Sequence, residues 1–125
     1  MKEIKKNVFY EKELFSIFGT LNPNSRFFFK SECEKFIESR ISVRVKEEYY
    51  LMVEIHPCEN QELFEFFTIH EFFTILSYLK ETYKDYQMVI TFIDEESTFE
   101  TISITKKQII INTKIFDEGV TFNDK

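Results

Sequence analysis

The chain has 125 residues, 43% hydrophobic, 18% aromatic and 30% charged, with a net charge of −6, two Cys, two Gly, two Pro, no Trp and no Ala. This is the composition of one globular domain, and it excludes the disordered, collagen-like and disulfide-dense classes. A chain of this length buries about 65% of the surface its unfolded form exposes, so it needs neither staples nor metal to hold a core.

The first residues are basic, but Glu11 and Glu13 arrive where a secretory leader needs an apolar run, so no leader is expected. Helical spacing of Leu14, Phe15 and Phe18 then predicts a helix over Glu11–Phe18, with Gly19 placed to stop it. Leu21, Asn22, Pro23, Asn24 and Ser25 read as a loop. Over residues 26–39, Phe29, Cys33, Phe36 and Ile37 fall on one helical stripe, which predicts a helix. The rival reading is a strand at 26–30 followed by a short helix opened by the capping box of Ser31 and Glu34. Residues 41–45 alternate apolar and polar, and residues 49–55 form a second β-rich run, together a hairpin or one bent strand. His56, Pro57 and Cys58 read as a loop, because Pro57 holds the preceding residue extended.

A near-duplication, Glu65 to His70 and then Glu71 to Leu76, is too short to build a repeat fold. Thr68 and Glu71 have capping-box spacing, so the main helix is predicted from there to about Asp85. Its buried stripe is Ile69, Phe72, Phe73, Leu76, Leu79 and Tyr83. Strands are expected at 88–93, 98–104, 108–112 and 120–122, joined by tight polar turns at meander spacing. The expected fold is therefore one α+β domain. An antiparallel sheet, made of a hairpin and a C-terminal meander, packs on two or three helices. The 108–112 strand is expected as an exposed edge on which two copies could pair.

Little in the chain has the pattern of catalysis. His56 and Cys58 pair an imidazole with a thiol, but Glu54, Glu59 and Glu62 nearby would raise the thiol pKa, so no catalytic residue is assigned. Cys33, His56, Cys58 and His70 supply only one close ligand pair, short of a structural zinc site. Phosphate-cradling and nucleophile-elbow motifs are absent, and two Gly leave little for a backbone amide cradle. No cofactor or metal is expected. No stretch approaches the 18 or so apolar residues of a membrane span, and two cysteines without a leader read as reduced thiols in a cytoplasm. Three Arg and a pI near 5.0 argue against duplex nucleic acid, although Arg44, Lys46, Tyr49 and Tyr50 could stack and neutralise a single strand.

Charge is unevenly distributed. Residues 1–50 carry a net +2, residues 105–125 a net +1, and residues 51–104 a net −9. On the main helix Glu71, Ile75, Tyr78, Thr82 and Tyr86 form a second stripe beside the buried one, and Asp94, Glu95 and Glu96 follow in the next turn. Tyrosines and acids around an Ile compose a binding surface for a basic protein, with charge steering the encounter and Tyr anchoring it. The alternative is that Tyr78 and Tyr86 pack under the first helix and the acids only solvate the surface. As a profile, this small, acidic, Ala-free chain, with Glu71, Asp94, Glu95 and Glu96 set to meet a basic nuclease, resembles bacterial immunity proteins of contact-dependent inhibition and polymorphic toxin systems. That resemblance implies a non-catalytic inhibitor that occludes a toxin domain. A phage-encoded inhibitor of a host nucleic-acid enzyme has the same profile.

Overall fold

The computed structural model describes residues 2–30, 36–46, 49–57, 68–94 and 97–115. Among them lie eight strands and two helices: β1 (Lys2–Ile4), β2 (Val8–Tyr10), α1 (Glu11–Phe18), β3 (Arg26–Lys30), β4 (Phe36–Lys46), β5 (Tyr50–Pro57), α2 (Ile69–Thr82), β6 (Gln87–Phe92), β7 (Ser97–Ile104) and β8 (Gln108–Ile115). The fold is mixed α and β, dominated by sheet. Strand order is β1-β7-β8-β3-β4-β5-β6-β2.

The long strand β4 joins two sheet segments. Its first residues pair antiparallel with β3, through Lys30↔Phe36 and Phe28↔Glu38. From Ser39 onward it pairs with β5, in the register Ile41↔Ile55, Val43↔Val53 and Lys46↔Tyr50. Where β3 and β4 part, Thr68 bridges to Arg26, which ties the start of α2 to the start of β3.

The sheet is not the expected antiparallel one. β5 and β6 run parallel with α2 as their crossover, the connection that parallel neighbours require. β3 and β8 are also parallel, Phe27 lying beside Ile109 and Phe29 beside Ile111. Strand β8 is therefore interior, held by β7 on one side and β3 on the other, and it offers no edge for a second copy. The predicted helix over 26–39 is replaced by β3 and the start of β4. In Arg26–Lys30, Phe27 and Phe29 point into the core while Phe28 points out. Three consecutive Phe hide that period of two from a count of apolar residues. The capping-box helix of the rival reading lies outside the described residues, as does the expected strand at 120–122.

Both helices cover one face of the sheet. Leu14 and Phe18 of α1 and Ile69, Phe72, Leu76 and Leu79 of α2 join Phe9, Phe27, Phe29, Val53, Ile55, Ile90, Phe92, Ile102, Ile109 and Ile111 in one core. Phe73 and Tyr83, the other members of the predicted stripe, are partly buried against it. Aromatic rings tie the layers together: Phe72 stands edge-on to Phe27 at 5.1 Å, and Phe9 to Phe92 at 6.0 Å. Such pairs add about 0.5–1.5 kcal/mol beyond their buried area. No helix among the described residues is long and apolar enough to cross a membrane.

Candidate functional site

Helix α2 begins as its sequence predicts. Thr68 Oγ1 accepts the Glu71 amide at 3.2 Å, and Glu71 Oε1 accepts the Thr68 amide at 3.2 Å. The Ile69 and His70 amides donate to the carbonyls of Ser25 and Pro23, both at 2.9 Å. Every amide of the first turn is thus satisfied from within the chain, which leaves this helix end no free donor for an anion.

Steps of three and four residues then carry a line up the outward side of α2: Glu71, Ile75, Tyr78 and Thr82, all exposed, with Glu81 three residues beyond Tyr78. Tyr78 is 67% exposed and Ile75 37%. Glu81 belongs to this line by the same spacing and was not among the sequence candidates, although it could have been read from the periodicity. Lys80 points to the flank, where its ammonium pairs with Glu11 of α1 at 3.2 Å, so it does not neutralise the stripe.

The other sequence candidates are not gathered there. Tyr86 stands beyond the end of α2, half-buried against Tyr49 and Tyr83 with both ring centroids 5.5 Å away. α2 ends at Thr82 rather than near Asp85, so the helical stripe stops short of Tyr86. Asp94 follows the far end of β6, where its carbonyl accepts the Ser97 amide at 3.4 Å. Glu95 and Glu96 lie outside the described residues, as do Cys33 and Cys58. Tyr49 adopts φ 66° in the turn before β5 and packs on Tyr86.

The outward face of the β4–β5 pair holds a polar network of Arg40, Ser42, Arg44, Glu54 and His56. His56 and Pro57 belong to β5 rather than to a loop, a correction that follows from their pairing with Arg40 and Ser39. Arg40 Nε donates to His56 Nδ1 at 3.2 Å, and His56 Nε2 lies 3.1 Å from Ser42 Oγ. A guanidinium can only donate. Nδ1 is therefore the acceptor, the proton of the neutral ring sits on Nε2, and His56 donates to Ser42. This is the reverse of the arrangement in which an imidazole withdraws a serine proton. Beside it Arg44 donates to Glu54 Oε2 at 2.8 Å. Arg44, Lys46 and Tyr50 share this face, Arg44 opposite Met52 and Lys46 opposite Tyr50. Among the described residues no three His, Cys, Asp or Glu side chains cluster as a metal site.

No protein-family model, curated protein or solved structure matches this chain.

Proposed function

We propose that the chain is a non-catalytic protein-binding domain that docks a basic protein through the outward stripe of α2 and inhibits it. A toxin nuclease of the kind neutralised by immunity proteins is the partner class that this surface suits. The observation that carries the reading is Tyr78, 67% exposed and aligned with Ile75 between Glu71 and Glu81. A protein gains no folding stability from a tyrosine in water, whereas a rigid aromatic anchor flanked by acids supplies both a contact hot spot and electrostatic steering. The 14 residues of α2 span about 21 Å, enough to cover a substrate cleft. An inhibitor of a host nucleic-acid enzyme would use the same docking chemistry.

Single-stranded nucleic acid is the second reading, favoured by Lys46 opposite Tyr50 on an open sheet face. Against it, Glu54 already occupies Arg44 at that centre.

The test begins with the protein that co-purifies stoichiometrically from the host, expressed and recombined with this chain. Tyr78→Ala with Glu81→Lys should weaken the complex by about 30-fold or more, the cost of one interface hot spot. The same variant should release the partner's own activity while the melting temperature of the free chain stays unchanged. Undiminished binding and inhibition by that variant would sink the reading. Glu71 is a poor choice for this test, because its carboxylate also holds the helix cap.

A further inference from the structure

At one end of the sheet, the loop between α1 and β3 faces the turn between β7 and β8 across an open groove of about 910 Å³. Its lining includes Asn24, Arg26, Phe28, Lys106, Lys107 and Gln108, and among the described residues it holds no carboxylate. Lys106 and Lys107, both exposed, place two cations on this cavity in a chain with net charge −6. Glu71, on the helix start that packs against this loop, is not part of the groove lining.

The walls are held in register by the backbone. The Arg26 amide donates to the Lys107 carbonyl at 3.2 Å, and Ser25 Oγ, buried, donates to the Lys106 carbonyl at 3.4 Å. Thr105 Oγ1 accepts the Gln108 amide at 3.2 Å and closes the turn. These contacts use the carbonyls of Lys106 and Lys107. Their two amides donate to nothing among the described residues, and neither ammonium forms an ion pair there. The tip of the turn therefore presents two main-chain donors and two cations together, a combination suited to an oxyanion.

The groove is too large for a single inorganic anion and falls in the size range of small-molecule sites. Its apolar element is Phe28, half-buried on the outward face of β3, with the Arg26 guanidinium 5.5 Å from its ring centroid. A flat ring and a planar cation side by side form a surface on which another flat ring can stack. We infer that this groove binds a nucleoside phosphate: the phosphate at Lys106, Lys107 and the turn amides, and the base against Phe28 and Arg26. This site is separate from the stripe on α2 and does not rest on the docking reading.

Titration of the full chain with AMP, inorganic phosphate and adenosine, followed by amide chemical shifts and calorimetry, tests it. AMP should bind more tightly than either fragment and move the amides of residues 24–28 and 105–108. Lys106→Glu with Lys107→Glu, both exposed in a turn, should weaken AMP at least about tenfold, and added salt should weaken it further. Phe28→Leu should weaken AMP while leaving phosphate unchanged. A 5′-phosphorylated short single strand that binds better than AMP would make a strand end the natural form of the ligand, and equal or weaker binding would make it the free nucleotide. Unmoved amides at millimolar AMP, AMP binding no tighter than phosphate, or AMP affinity unaffected by the double charge reversal would each overturn the assignment.

Discussion

Phe72 and Tyr78 lie six residues apart on one helix and live in different media. Phe72 is fully buried against Phe27, whereas Tyr78 stands 67% exposed. The same division recurs on β5, where Ile55 is in the core and its neighbours Glu54 and His56 bond to Arg44, Arg40 and Ser42 on the outer face. The inward sides of these elements are nearly all apolar and interlock, so they set stability. The outward sides hold exposed tyrosines, acids and a hydrogen-bonded network that the core does not need. A large aromatic side chain is thus informative about function only after its face is known.

The strongest way to break this division is to truncate both aromatics. Phe72→Ala removes a buried ring from the centre of the aromatic stack and should cost about 3–5 kcal/mol in chemical denaturation. Tyr78→Ala should change stability by no more than about 0.5 kcal/mol, as other exposed substitutions do. Comparable losses at the two positions would mean that Tyr78 packs against the body of the protein, and the docking proposal would lose its anchor.

A smaller effect is expected where the two sides of α2 meet, at its cap. Thr68→Ala leaves the Glu71 amide without its side-chain acceptor and should cost about 1 kcal/mol. Thr68 also bridges to Arg26 at the split between the sheet segments, so the variant should shift the amide resonances of β3 as well as those of the first turn of α2. Shifts confined to the helix would show that the cap and the sheet split are independent.

The elements that could be read from the sequence are those whose signals are local. α1 has its apolar spacing, α2 its capping box, the β4–β5 hairpin and strands β6 to β8 their β-rich runs between polar turns. What could not be read is pairing between distant segments. Nothing within Arg26–Lys30 announces that it will lie parallel to Gln108–Ile115, and the three-residue strands β1 and β2 are too short to carry a period. They are defined only by their partners, Ile104 for Lys2 and Ile90 for Phe9. The stripe of Glu71, Ile75 and Tyr78 was legible for the same reason as the helix, because one period places both its faces. Tyr86 was misplaced because that period was carried past the end of the helix. The basic groove was invisible, since its cations come from the first residue of β3 and from a turn some 80 residues later, which only the parallel β3–β8 pair brings together.

The smallest effect belongs to the outermost charge pair. At the start of α1, Glu13 Oε1 accepts the Tyr10 amide at 3.2 Å and its other oxygen accepts from the Lys6 ammonium. The hydrogen bond from Lys6, then that from the Tyr10 amide, holds the Glu13 carboxyl below its ordinary pKa. A depressed folded-state pKa means that the stabilisation is present above the unfolded value, about 4.3 for Glu, and is lost as pH falls through the lower folded value. Glu13→Gln should therefore lower the melting temperature slightly at neutral pH, by an amount that shrinks with added salt because the pair is exposed. The gap between the two proteins should close as the medium is acidified through the carboxylate range. A gap that persists in acid would assign the effect to packing at the helix start, and the outward side of α1 would then contribute to stability as the inward side does.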